Sequence, residues 1–275
     1  MLIKVEDLKA SFPKILVEIK EIYAKTILSK SGILDYCINP YVGCEHACKY
    51  CYASYYTRIF RNKKEKWGSY VEAKINAPSL LLKEIKNKKG SIYLSSLTDP
   101  YQPAEAKYEL TRKILKILKE KDYEVVIQTK SPLVLRDLDI LKGMKVSVGF
   151  TIISTNEKVR EAFEPNAPSV KSRIEALRKL SENKIRTFAF FGPLLPELSD
   201  IENLIKELSF VDEMFFDKLN LKPGIWENVE ETLTQYFPEL IKEWKEIFFG
   251  KSEYYKKLKE KIEQIAPKEK TNILF

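Results

Sequence analysis

Six short apolar runs recur along the chain, and most are separated by segments with helical spacing. The first is "GILDYCINPYVGC". "SIYLSSLTDP" follows "SLLLKEIKNKKG", and "YEVVIQTKS" follows "LTRKILKILKEKD". "KVSVGFTII" follows "PLVLRDLDILKGM", "IRTFAFFGPLLP" follows "PSVKSRIEALRKLSENK", and "EMFFDKLNL" follows "DIENLIKELSFVD". The runs are β-branched, aromatic or both, about four to eight residues long, and suit strands buried on both faces. In "RKILKILKE", Ile114, Leu115, Ile117 and Leu118 make one stripe with lysines opposite. Strand–helix alternation at this spacing predicts an α/β fold with repeated βαβ units and a parallel sheet. Six units, with polar or proline-containing strand ends, point to a partial (β/α)6 TIM-like barrel. Its chemistry would lie at the C-terminal ends of the strands. An open doubly wound sheet is the alternative, weakened because no glycine-rich phosphate fingerprint follows the first strand.

The barrel is expected over residues 30–225, after an N-terminal extension, residues 1–29. Residues 226–275 read as two helices without a strand signal, a C-terminal helical extension packed on the barrel and ending in a frayed tail. No repeat stands out and nothing is low complexity.

Composition narrows the class. At 275 residues, 44% hydrophobic and 31% charged, the chain has a globular balance. No apolar run approaches the roughly 18–20 residues of a membrane span. "MLIKVEDLKASFPKILVEIK" carries acids within its apolar part and lacks a signal-peptide core, so the expected location is cytoplasmic. Lys and Arg number 47 against 39 Asp and Glu, a formal +8. This permits polyanion binding without establishing it, because the charges are interspersed like solvated helix faces. The aromatic stretches "YASYYTRIF" and "SEYYKKLKEK" mix rings with basic residues. Such a mixture suits stacking on bases and phosphate attraction, and equally suits helix packing.

The candidate chemistry sits in "NPYVGCEHACKYCYA". The chain has 4 cysteines, Cys37, Cys44, Cys48 and Cys51, and 1 histidine, His46. Cysteines clustered this tightly make a poor disulfide framework and more often bind metal. Cys44, Cys48 and Cys51 form C-x3-C-x2-C directly after the first strand. Three thiolates on a short loop can each bind a different iron of a cubane, leaving one iron open to a small chelator. A structural zinc site would need a fourth ligand, from Cys37 or His46. Cys37 otherwise reads as a small buried hydrophobe, with a thiol hydrogen donor as the sharper role. His46 reads as loop structure or a hydrogen-bonding neighbour of the ligands, with a ligand or proton carrier as the alternative.

C-x3-C-x2-C, with Tyr50 before its last cysteine, resembles the signature of the radical S-adenosylmethionine (SAM) enzymes. "SLTDPYQPAE", "LTRKIL", "TKSPLVLRDLDIL" and "FEPNAPSVKSRIEAL" extend the likeness to the spore photoproduct lyase branch, whose members often carry the name DNA repair photolyase. The resemblance covers roughly residues 30 to 225. It implies that Cys44, Cys48 and Cys51 hold a 4Fe–4S cluster and that the methionine part of SAM chelates its open iron. An electron from a flavodoxin- or ferredoxin-type donor would cleave SAM, and the 5′-deoxyadenosyl radical would abstract hydrogen from substrate.

The resemblance also implies individual roles. Tyr50 would pack near the adenine. Thr98 and Asp99, ending the second strand, would meet the SAM amino group, though a strand-end Asp is also a common cap. Lys130, ending the third strand, and Arg173 would lie near the SAM carboxylate; the plain alternatives are a solvent-facing lysine and an exposed helical arginine. Thr151, nearest the rim on the fourth strand, would touch the ribose, where small barrel-filling residues are the alternative. Glu105 reads as a helix-start acid. Tyr52 matches a tyrosine that, in spore photoproduct lyases, joins a hydrogen-atom relay with a cysteine after the second strand. Here that place falls at Ser95 or Ser96, and no cysteine follows Cys51. This departure argues against thymine-dimer repair by the same route. Nucleic-acid modification or repair is the first expectation for the substrate, with a small metabolite or peptide as the second. A non-catalytic zinc or cluster module that binds nucleic acid is the rival from another class.

Overall fold

In the computed structural model, which describes residues 17–275, all six runs contribute strands. They are β3 (Tyr36–Ile38), β6 (Ser91–Leu94), β7 (Glu124–Thr129), β8 (Val146–Thr151), β9 (Arg186–Leu194) and β10 (Glu213–Lys218). Each pairs in parallel with the next. β2 (Leu28–Lys30) lies antiparallel to β3 at one edge, and β11 (Thr271–Ile273) lies parallel to β10 at the other. The sheet has two edges and does not close, which makes it a partial barrel.

The helices follow the apolar spacing. α4 (Leu110–Glu120) buries Ile114, Leu115 and Leu118 completely, and Ile117 is half-buried. Each such side chain contributes about 1.5–3 kcal/mol when fully buried. α2 (Ala77–Glu84), α7 (Val170–Glu182) and α8 (Ile201–Glu207) present Leu81, Leu177 and Leu204 to the same core.

A second, smaller sheet was not foreseen. The first run splits: after β3 the chain turns into β4 (Tyr41–Val42), which pairs antiparallel with β5 (Tyr70–Lys74). β5 in turn pairs in parallel with β1 (Glu18–Ile22). This sheet lies under the cysteine loop. Residues 18–22 of the expected N-terminal extension are thus a strand, and β2 crosses its expected boundary with the barrel at residue 30, whereas residues 1–16 lie outside the described ones.

The C-terminal expectation needs correcting. Residues beyond the barrel form three α-helices rather than two, α9 (Ile225–Tyr236), α10 (Ile241–Phe249) and α11 (Tyr254–Ile265). The tail is not frayed but forms β11, because the open edge of β10 supplies backbone partners that the short "TNI" could not announce. α9 and α10 enclose a second core around Trp244, whose ring stacks on Phe163 of α6 (Glu157–Phe163). Cys48 and Tyr50 belong to that core, so the C-terminal helices support the cysteine loop. No helix among the described residues is long and apolar enough to cross a membrane.

Candidate cofactor site at the cysteine loop

Cys44, Cys48 and Cys51 lie between β4 and α1 (Tyr52–Arg61). The loop begins at Gly43, with φ +85°. A Cβ there would stand 2.4 Å from the Tyr70 carbonyl oxygen, so glycine lets the loop lie against β5. Thr98 Oγ1 donates to the Gly43 carbonyl at 2.6 Å, and the Glu45 N–H donates to Gln102 Oε1 at 3.0 Å. The Glu45 carboxylate accepts the Ala104 N–H at 2.6 Å. On the other flank Asn166 Nδ2 donates to the Glu45 carbonyl at 2.9 Å, and the Lys49 N–H to the Phe163 carbonyl at 2.8 Å. None of these bonds uses a thiol.

Cys44 and Cys48 are buried and Cys51 is half-buried. Burial pushes all three thiols up, Cys48 to about 12. Asp99 adds to the rise at Cys44, while Lys130 opposes it at Cys48. Metal reverses such a balance, because a coordinated thiol is held as thiolate. No three His, Cys, Asp or Glu side chains among the described residues converge on a single-ion site. Three thiolates on one short loop suit separate irons of a cluster, whereas a structural zinc would need a fourth ligand.

One cavity brings most of the expected residues together. The three cysteines, Tyr52, Thr98, Asp99, Lys130 and Thr151 all line it, at the C-terminal ends of β6, β7 and β8. Thr98 and Asp99 lie in the loop beyond β6 rather than ending the strand. Tyr50 and Arg173 are not in the lining but stand behind it.

Asp99 is a hub. Its Oδ1 accepts the Tyr101 N–H at 2.8 Å and the Thr129 hydroxyl at 2.6 Å, and its Oδ2 accepts the Lys130 N–H at 2.8 Å. His46 Nε2 stands 3.2 Å from Oδ2, an ion-pair distance, although neither ring nitrogen makes a well-aligned hydrogen bond. Burial alone would raise this carboxyl, but His46, Thr129 and Tyr101 bring it down to about 2. Asp99 thus shapes the wall, and His46 braces the loop against it.

Glu164 is the main residue that the sequence did not reveal. Tyr50 donates its hydroxyl to Glu164, Arg173 Nη1 pairs with the carboxylate at 2.5 Å, and Lys130 Nζ lies 3.8 Å away. Burial works against this carboxylate, but Arg173, Lys130 and Tyr50 outweigh it and lower its pKa. Arg173 is fully buried, which overturns the exposed-helix alternative. Its Nη1 also donates to the Thr151 carbonyl at 3.0 Å and its Nε to the Pro168 carbonyl at 2.9 Å. "FEPNAPS" was visible as a motif, but only packing shows that its acid meets the tyrosine of the cysteine loop.

A polar row crosses the sheet. Tyr93 on β6 donates to Gln128 Oε1 on β7 at 2.5 Å, and Gln128 Nε2 donates to the Thr151 hydroxyl on β8 at 2.8 Å. Gln128 and Lys130 alternate in "VVIQTK", the signal that could have placed Gln128 at the cavity. Tyr52 donates its hydroxyl to the Ser96 carbonyl at 2.5 Å. Cys37 Sγ lies 3.1 Å from Ser96 Oγ, so Ser96 stands between the ring and the one remaining thiol. Glu105 faces away from the cavity, bonded to Tyr41 at 2.5 Å and Arg136 at 2.8 Å.

The radical SAM superfamily profile matches residues 38–208, and the chain belongs to that superfamily. Among its relatives, the uncharacterized protein MJ0683 of Methanocaldococcus jannaschii is 40% identical over 259 residues, spanning 92% of this chain and 95% of that one. The uncharacterized protein ORF301 of Acidianus two-tailed virus is 30% identical over 240 residues, 75% of this chain and 79% of its own. Among solved structures, a spore photoproduct lyase double mutant with bound AdoMet and dinucleoside spore photoproduct superposes with a TM-score of 0.65 at 17% identity, covering 94% of this chain and 81% of the other. The same enzyme complexed with dinucleoside spore photoproduct gives the same score and identity over 94% and 82%. At that identity the likeness establishes a shared fold.

The superfamily's cofactors are a 4Fe–4S cluster and SAM. The residues present fit them. Buried side-chain polar atoms without a hydrogen-bond partner, among the described residues, belong to His46, Trp67, Ser95, Glu164 and Arg173. His46, Trp67 and Ser95 line the cavity, and Glu164 and Arg173 stand behind Lys130. The unmet polarity of His46, Trp67 and Ser95 around three free thiols is what a charged, polar guest would satisfy, while Glu164 and Arg173 pair with each other.

Proposed function

We propose that this radical SAM enzyme abstracts hydrogen from a nucleic-acid substrate in a modification or repair reaction. The observation that carries the reading is the single cavity shared by the three cysteines, Tyr52, Lys130 and Thr151. When bound, the cluster and SAM supply a 5′-deoxyadenosyl radical, which can take hydrogen from an unactivated C–H bond. The chain's own residues would do the rest. Cys44, Cys48 and Cys51 hold the cluster as thiolates. Lys130, kept charged beside Glu164, offers an ammonium to the SAM carboxylate, and Arg173 keeps Glu164 ionised behind it. Thr98 and Asp99, which line the cavity, would form the wall on the side of the SAM amino group. The Gln128–Thr151 pair presents polar atoms to the ribose, and Tyr50 backs the loop. Tyr52, 42% exposed at the head of α1, would meet substrate.

Nucleic acid is favoured by the net charge of +8 and by the spore photoproduct lyase relatives, whose complexes contain a dinucleoside. The test is anaerobic reconstitution followed by dithionite and SAM, with DNA, RNA and metabolite pools supplied separately. The expected result is 5′-deoxyadenosine release stimulated by a nucleic acid. Stimulation by the metabolite pool alone would assign a small-molecule substrate. Absence of any SAM cleavage from iron-replete protein would sink the enzyme reading itself.

A further inference from the structure

A second cavity, of about 260 Å³, lies on the other side of the cysteine loop. Cys48 and Trp67 line both cavities and form the wall between them. The wall is thin by construction. Gly68 adopts φ +91°, and a Cβ there would come within 2.3 Å of the Ala47 Cβ, so the Lys63–Gly68 segment lies flush on the loop.

The lining of the second cavity is basic. It contains Lys49, Arg58, Lys63, Lys64 and Lys66 against the single acid Glu65. Two of the cations are already engaged: Lys63 pairs with Glu72 at 2.5 Å, and Arg58 donates to the Pro223 carbonyl at 2.8 Å. The ammonium groups of Lys49, Lys64 and Lys66 have no carboxylate partner among the described residues. Three uncompensated positive charges therefore ring a cavity with a cluster-binding cysteine in its wall.

We propose that this basic cavity is the docking face for an acidic one-electron carrier protein that reduces the cluster. The inference rests on the radical SAM reading, since such enzymes need a reductant. An electron donor need not enter the substrate cavity; its redox centre must only come close to the cluster. The wall containing Cys48 offers that approach without crossing the SAM cavity. One electron leaves the reduced carrier and enters the cluster, with no proton or atom transferred. Redox encounters use small, weak interfaces, and charge complementarity governs their rate more than their affinity. A compact set of unpaired lysines fits that requirement. A nucleic-acid substrate must instead reach the cavity that Tyr52 and Thr151 line, on the opposite side of Cys48.

The test uses the full chain carrying its reconstituted cluster, with an acidic flavodoxin as the probe. Binding of oxidised flavodoxin is measured by fluorescence anisotropy across a salt series. Cluster reduction by flavodoxin hydroquinone and by dithionite is then followed by stopped-flow absorbance. The variant is Lys64→Glu/Lys66→Glu, two exposed positions, with the charge-neutralising Lys64→Gln/Lys66→Gln as a second. Expected are weaker binding and a reduction rate by flavodoxin about tenfold lower at low salt, with a flatter salt dependence. Reduction by dithionite, and SAM cleavage driven by it, should stay within about twofold, since a small reductant needs no docking face. A flavodoxin rate within twofold of wild type would overturn the proposal. So would loss of binding to a labelled single-stranded oligonucleotide with the flavodoxin rate unchanged, which would make this a nucleic-acid face. Failure of dithionite-driven cleavage in the wild type would count against the radical SAM reading alone, because flavodoxin binding is measured independently of it.

Discussion

Glu164 and Lys74 illustrate opposite ways of burying a charge. Glu164 is surrounded by Arg173, Lys130 and the Tyr50 hydroxyl. Glu164→Gln leaves the fully buried Arg173 without its counter-ion and should destabilise the fold by about 3–5 kcal/mol, read by urea denaturation. Lys74 is buried with one good acceptor, the Asn39 carbonyl at 2.7 Å. Burial, with Arg61 adding to it, lowers its pKa from 10.5 to about 8. The folded state therefore binds fewer protons than the unfolded state between those values, and stability should rise as pH climbs from about 8 toward 10.5. Lys74→Met should remove this slope and raise stability at neutral pH. Denaturant midpoints at pH 7, 8.5 and 10, chosen around those values, check both parts. The cysteine triad was legible at this scale because spacing alone identifies it. Glu164, Gln102 and Gln128 were not, because their roles arise from partners 23 to 114 residues away.

At the scale of elements, the loop between β4 and α1 depends on what lies beneath and beside it. Gly43→Ala places a Cβ against the Tyr70 carbonyl and should lower iron incorporation severalfold while the far-UV circular dichroism stays unchanged. Trp244→Ala removes a fully buried ring and should cost about 3–5 kcal/mol, with a faster loss of cluster colour because Phe163 and the loop lose their support. The six parallel strands were readable because each is an apolar run bounded by a helical segment. β4, β5 and β1 were not: β4 is two residues long, and the charge-interrupted "EIKEI" of β1 and "YVEAK" of β5 make no apolar run. β11 was hidden for the same reason, as three residues carry too little periodicity to compete with the helix before them.

For the whole molecule, the division between barrel and C-terminal helices is less sharp in space than in sequence. The second core joins Cys48 and Tyr50 to Val229, Leu233 and Trp244. A chain ending at residue 225 should therefore bind little iron and expose apolar surface, measured by iron content and by binding of a hydrophobic dye. Charge also acts at this scale. The formal +8 is dispersed along the sequence, and folding gathers part of it into one ring beside Cys48.

The bonds that fix the cysteine loop spare the thiols themselves. Gly43, Thr98, Gln102, Glu45, Asn166 and Lys49 hold it from both flanks through backbone, hydroxyl, carboxylate and amide groups. The anchors of the loop and its three sulfur atoms are therefore separate sets of atoms, and exchanging a thiol for a hydroxyl should change the ligand set while leaving every one of those anchors available.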